Sequence, residues 1–218
     1  MSKSETESSR AKEIRAEAVS AALTALKRGE VIAFPTETLY GLGADALNFA
    51  AVEKVYRLKG RDPQNPIPVL VADRTMLGSL VSDIPRLADK LIARFWPGPL
   101  TIVLQARGGI SPSLVNASGG IALRISSQSI AADLVKALGR PITATSANPT
   151  GEPPARTASE AEKYFAGQIA VSIDGGELTS KTGSTVIAIV GDALRIIRLG
   201  DIDRSQLEEA LGAERILP

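Results

Sequence analysis

Neither cysteine nor histidine occurs among the 218 residues. Without thiols there is no disulfide, no thiolate nucleophile and no zinc–thiolate cluster, which suits a reducing compartment. Without imidazole there is no Ser-His-Asp triad, no histidine metal centre and no base of that kind at neutral pH. Aromatic residues make up only 4% of the chain and the formal net charge is +1. Few stacking residues and no overall field argue against a dedicated nucleic-acid binder or a polybasic membrane anchor, although a local basic patch stays open. No apolar run reaches the roughly 18 residues of a transmembrane helix. The opening MSKSETESSRAKE is polar and no apolar segment follows it, unlike a signal peptide. A frayed tail over residues 1–13 and a soluble, cytoplasmic protein are expected. Any chemistry must use hydroxyls, carboxylates, Lys, Arg, the backbone and the ligand itself.

Hydrophobic residues account for 44% of the chain, enough for one sizeable core, and a single domain over residues 14–218 is expected. Apolar residues at helical spacing predict helices over Ile14–Arg28, stopped by Gly29, and over Phe49–Leu58, closed by Gly60. The same pattern marks Ile84–Phe95, Ser129–Leu138 ahead of Gly139, and Arg204–Leu211. Thr157 with Glu160 reads as a capping box for a helix through Phe165. Short β-branched runs predict strands at Val31–Phe34, Ile67–Val71, Leu100–Gln105, Ile121–Ile125, Pro141–Thr145 and Ile169–Ile173. A hairpin is predicted from Ser184–Val190 and Leu194–Leu199, around Gly191-Asp192. Interleaved helices and strands with a final hairpin imply an α/β fold on a mixed sheet.

Polar residues collect where strands end, the usual place for ligands in open α/β sheets. PTETLYGLG follows the first strand, and its threonines and glycines serve either a turn or a site. Lys59 and Arg61 lie across Gly60 from a helix end, placed to grip an anion or simply solvated. Arg124 stands inside an apolar strand and needs a counter-charge or a bound anion. TSANPTGEPPA offers small hydroxyls and a glycine that admit close approach of a ligand. Asp174 in DGG, Ser184-Thr185, Arg195 and Arg198 complete the candidates. There is neither a G-x-x-x-x-G-K-S/T loop nor a G-x-G-x-x-G turn after a strand.

PTETLYGLG, KGR with NPIPVLVAD, WPGPLTIVL, IALRI, TSAN, DGG and GSTVI with RIIRLG, in this order from about Ala18 to Ile202, resemble the YrdC-type domain of the threonylcarbamoyl-AMP synthases. The resemblance implies a twisted open mixed sheet with flanking helices and a large concave cleft. There L-threonine, bicarbonate and ATP would form threonylcarbamoyl-AMP and pyrophosphate, a nucleotidyl transfer serving the threonylcarbamoyladenosine modification of tRNA beside the anticodon. It implies that Thr36, Pro68, Arg124, Ala144 and Ser184 bind L-threonine, with Arg124 on its carboxylate. Lys59, Arg61, Pro63, Gly120, Ser146, Asn148, Pro154 and Arg198 would bind ATP, and Asn65 would support the phosphate loop. Mg²⁺ would be held mainly by ATP phosphates and not by a protein cage. Downstream partners would be a threonylcarbamoyl-transferase complex acting on tRNA, with weak direct RNA binding left open. Asp62 departs from the family pattern, in which proline follows KGR directly, and the chain reads as a short form without the extra C-terminal domain of longer members. Alternatives of the same fold are a non-catalytic double-stranded RNA or tRNA-binding module and a carbamoyl-transfer domain. No catalytic residue is assigned, and Glu37 reads equally as a base or as a turn cap.

Overall fold

The computed structural model describes residues 3–217, with side chains from Glu13 onward. Helix α1 spans Lys3–Lys27. It therefore starts before the expected Ile14, because Arg10-Ala11-Lys12-Glu13 are strong helix formers and nothing there stops the helix. The stretch expected as a frayed tail is helical from Lys3 on, and residues 1 and 2 lie outside the described residues. No helix among the described residues is long and apolar enough to cross a membrane.

Strand β1 (Ile32–Pro35) is buried along its whole length because both of its faces are covered. Ile32 and Phe34 join one core, with Leu26 of α1 and with Ile130 and Leu134 of α5 (Ser129–Leu138). Ala33 joins the other, with Val52 and Val55 of α2 (Phe49–Lys59). Alternate side chains leave a strand on opposite faces, so a strand sandwiched between two layers reads as an unbroken apolar run.

Strand β2 (Tyr40–Gly43) pairs antiparallel with β1, Phe34 opposite Gly41. Gly41 and Gly43, read as serving either a turn or a site, are the floor on which the Phe34 ring lies. A Cβ on Gly43 would meet Phe34 Cε1 at 2.7 Å, so the strand needs glycine for close packing.

The remaining elements are β3 (Val69–Leu70), α3 (Arg74–Leu80), α4 (Arg86–Phe95), β4 (Leu100–Gln105), β5 (Gly120–Arg124), β6 (Ile142–Thr143), β7 (Thr145–Ser146), α6 (Ala158–Tyr164), β8 (Val171–Ser172), β9 (Thr185–Val190), β10 (Ala193–Arg198), α7 (Arg204–Leu211) and β11 (Ile216–Leu217). They form a four-stranded sheet, β7-β2-β1-β8, and a seven-stranded sheet, β11-β10-β9-β4-β5-β3-β6. Both mix parallel and antiparallel pairs. The expected single sheet is thus split, and the expected strand Pro141–Thr145 is where it splits. Ala144 N makes the last bond of the β3–β6 ladder, to Pro68 O, so Ile142–Thr143 stays in the large sheet, and Thr145–Ser146 then crosses to pair with β2 in the small one. Thr143 ties the two together by exchanging bonds with Ala44.

In the large sheet the period of two sorts residues between core and open face. Ile102 and Leu104, Ile121 and Leu123, and Ile187 are buried in the core, while Val103, Ala122, Arg124 and Val186 face a cavity. The capping box of Thr157 with Glu160 forms as read.

Candidate active site

The cavity on that open face has a volume of about 580 Å³ and lies between the two sheets' edges and the loops that leave them. This is the size of a small-molecule site. Its lining holds four cations, Arg61, Arg124, Lys181 and Arg198, and no aspartate or glutamate. A nearly neutral chain has therefore concentrated positive charge in one concave place.

The wall at the end of β1 is the turn Thr36–Leu39. Thr36 Oγ1 donates to Leu39 O at 2.7 Å and accepts from the amides of Thr38 and Leu39. The hydroxyl that leads the PTET motif thus closes the hairpin, and the same residue lines the cavity. Glu37 is neither cap nor free base: Oε1 accepts from Arg124 Nη1 at 2.9 Å, and Oε2 accepts from the Ser126 hydroxyl. Arg124 Nη1 also reaches Thr38 Oγ1 at 3.3 Å. Burial lowers the Arg124 pKa, while Glu37 and Asp201 pull it back up. Both of these side-chain bonds leave from Nη1, so Nε and Nη2 are the guanidinium edge left for a ligand.

The second wall combines the KGR and SAN segments. Lys59 is 3% exposed and stands beneath the SAN loop, its ammonium donating to Ser146 O at 2.6 Å, Asn148 O at 2.7 Å and Asn148 Oδ1 at 3.4 Å. All three of its donors are engaged, and it is not among the lining residues. Burial first, and then the nearby charge of Arg61, lowers its pKa from 10.5 to about 8. Asn148 in turn donates to Pro149 O and Glu152 O, which fixes the loop and leaves Ser146 at the cavity surface.

Arg61 does face the cavity, with Nε anchored on Asn65 O at 2.7 Å. Asn65 supports the loop, as the sequence reading holds, through its backbone carbonyl. Asp62 turns away from this grip, since its Oδ1 accepts from Gln64 N in the loop's own turn. Pro63 rides on that turn, exposed and outside the lining.

The third wall is the start of β9 and the end of β10. Ser184 Oγ accepts from Thr101 Oγ1 at 2.9 Å and from Arg198 Nη2 at 3.3 Å, so its own proton is left to point at a ligand. Arg198 also donates to Ser184 O at 2.7 Å. A bulge between Ile196 and Arg198 in the β9–β10 ladder brings this arginine to the cavity. Burial, then the like charges of Arg124 and Arg61, lowers its pKa. The DGG segment is held from behind: Tyr40 Oη accepts from Gly175 N and donates to Gly176 O.

Of the residues expected to bind ligands, Thr36, Arg61, Pro68, Gly120, Arg124, Ala144, Ser146, Asn148, Pro154, Ser184 and Arg198 line this one cavity, whereas Lys59 and Pro63 do not. Thr38 and Tyr40 of the PTETLYGLG stretch line it too, whereas sequence reasoning missed Asn116, Lys181 and the apolar floor of Val103, Ala122, Val186 and Ile197. Alternation within the strands was the signal available for the floor, since Ala122 shares a face with Arg124.

The family model Sua5_yciO_yrdC, described as "Telomere recombination", matches residues 24–200. A threonylcarbamoyl-AMP synthase of Bacillus subtilis (strain 168) is 38% identical over 195 residues, covering 89% of this chain and 56% of that protein. One of Thiobacillus denitrificans is 38% identical over 172 residues, covering 78% and 90% respectively. The crystal structure of P. abyssi Sua5 complexed with L-threonine superposes with a TM-score of 0.87 at 36% identity, covering 92% of this chain and 59% of that one. The chain thus spans little more than half the length of the B. subtilis and P. abyssi proteins.

Proposed function

Because the chain belongs to the Sua5/YciO/YrdC family, we propose that it is an L-threonylcarbamoyladenylate synthase acting in the cytoplasm ahead of a transferase that modifies tRNA. The observation that carries this reading is a cavity with four cations, no carboxylate in its lining and an apolar floor beside them. ATP presents several negative charges and an apolar base, and phosphoryl-type transfer needs positioning and charge neutralisation more than a side-chain base.

The threonine carboxylate pairs with the Nε and Nη2 edge of Arg124, a fork that suits a planar anion. Ser184 donates its hydroxyl proton nearby. The threonine amine attacks bicarbonate, losing water, and becomes a carbamate. A carbamate oxygen then forms a bond to the α-phosphorus of ATP as the bond from that phosphorus to the β-bridging oxygen breaks, and pyrophosphate leaves with the electron pair. Arg61 and Arg198 neutralise the phosphate oxygens.

No group of three or more Asp or Glu side chains that could hold a metal ion occurs among the described residues, and the lining offers the neutral oxygens of Ser146 and Asn148. That donor set fits a Mg²⁺ ion carried in by the nucleotide's own phosphates, with a side-chain oxygen or water completing its shell. Bound there, Mg²⁺ would supply further neutralisation of phosphate charge.

The test is pyrophosphate release from ATP and Mg²⁺, with threonine or bicarbonate omitted in turn and carbon dioxide excluded, alongside mass detection of the adenylate. Release is expected only when both small substrates are present. Release independent of threonine, or orthophosphate as the sole product, overturns the reading.

A further inference from the structure

Three of the cavity's cations are accounted for by the reading above; Lys181 is not. It lies on the segment between DGG and β9, exposed at its backbone turn yet part of the cavity lining. The residues on either side of it are tied down. Ser180 Oγ donates to Asp201 Oδ1 at 2.7 Å and Thr182 Oγ1 donates to the same oxygen at 2.5 Å. Asp201 N donates back to Gly183 O at 2.9 Å. One aspartate therefore clips residues 180–183 to the end of β10 at three points.

The clip engages the hydroxyls and leaves the lysine. Among the described residues no carboxylate lies within ion-pair distance of Lys181. A lysine that serves only solubility needs no such anchoring, because its value there is hydration and freedom. Fixing the backbone on both sides removes in advance part of the ordering cost of seizing a ligand. The segment runs against the nucleotide-side arginine: a Cβ at Gly183 would stand 3.6 Å from Arg198 Nη2. The threonine carboxylate already has Arg124. A compact ammonium with three rotatable donors suits the spread oxygens of a phosphate chain.

Resting on the synthase reading, we propose that Lys181 is a further nucleotide ligand, contacting the phosphate anion of ATP from a loop that Asp201 holds in place through Ser180 and Thr182. Titration calorimetry with ATP and, separately, with L-threonine tests it. Lys181→Ala is expected to weaken ATP by about three- to tenfold, as for a partly solvated charge contact, and to leave threonine affinity unchanged. Lys181→Arg should restore ATP binding, and Lys181→Glu should weaken it further. Opening the clip without changing charge, by Ser180→Ala with Thr182→Val, should weaken ATP in the same direction, and adding Lys181→Ala to that pair should cost little more. Asp201 itself is left intact because its charge also acts on Arg124.

Unchanged ATP affinity in Lys181→Ala, or equal weakening of ATP and threonine, overturns the inference. A folded clip variant that binds ATP like wild type overturns the positioning role. A wild-type protein that binds no ATP overturns the synthase reading and this inference with it, whereas the first result overturns this inference alone.

Discussion

Arg124 has two partners in view, one visible and one inferred, and a pair of substitutions separates them. Nη1 holds Glu37 at 2.9 Å, with the two side chains 5% and 15% exposed. Nε and Nη2 are assigned to the threonine carboxylate. Two charge-assisted hydrogen bonds to a carboxylate are together worth on the order of 3 kcal/mol, so Arg124→Ala should weaken threonine by roughly a hundredfold. The same change strands Glu37 beside Ser126, and an uncompensated buried carboxylate costs about 3–5 kcal/mol of stability. A poor binder could then be merely a poor folder. Glu37→Gln combined with Arg124→Ala removes the stranded charge, keeps an acceptor for Ser126 and should recover most of the lost stability. If the carboxylate assignment is right, the double variant recovers in urea denaturation but stays about a hundredfold weak for threonine in calorimetry. Glu37→Gln alone should bind threonine at least as well as wild type, since it frees a cation. A folded double variant with wild-type threonine affinity refutes the reasoning and makes the arginine purely structural.

Lys59 gives a pH signature. Its folded pKa of about 8 lies below the ordinary 10.5, so between those values the unfolded chain keeps a proton that the folded chain has lost, and stability rises with pH across that window. Wild type should gain on Lys59→Met by at most about 2 kcal/mol between about pH 7.5 and 9.5, read from urea midpoints. Parallel curves would mean that the ammonium is not desolvated. Gly200→Ala should shift the cavity wall, because a Cβ there would stand 2.2 Å from Gly183 O and 2.5 Å from Ser184 C, backbone atoms that cannot turn aside. A loss on the order of 2 kcal/mol in stability, with weaker threonine binding from the displaced Ser184, is expected; wild-type melting and affinity would show that the close approach is relaxed in solution.

Elements whose signals are local were legible. α5 runs Ser129–Leu138 and stops at Gly139 as its period and glycine indicate, and the last hairpin turns at Gly191. What escaped depends on partners far along the chain. β2 reads as a turn or a site because two of its four residues are glycines, and the Phe34 ring across the ladder is what explains them. α3 is capped by Asp73, whose side chain accepts from Met76 N, yet RTMLGSL is short and carries a glycine, so its pattern is weak. The split between sheets falls just after Ala144, whose amide ends the ladder on Pro68 O, and it is set by β2, far earlier in the chain, which pairs with Thr145 and Ser146.

For the site, residue type was the better guide and geometry corrected it. Hydroxyls and cations at strand ends marked several stretches that line the cavity, while the cleft itself, and Pro68, Gly120, Ala144 and Pro154, came from the family resemblance. Type alone could not separate the residue that faces the cavity from the one that braces its wall. Lys59 and Arg61 are two positions apart and look interchangeable, yet one ammonium satisfies all its donors on SAN carbonyls while the other cation faces the cavity. The same limit applies to charge. A net +1 suggests no attraction for anions, but a ligand responds to the potential inside the cleft, where Arg61, Arg124, Lys181 and Arg198 line the wall and the one carboxylate paired with them among the described residues, Glu37 on Arg124, stands outside the lining. Low-dielectric walls focus that field, so a neutral protein can hold a polyanion without drawing nucleic acid to its whole surface.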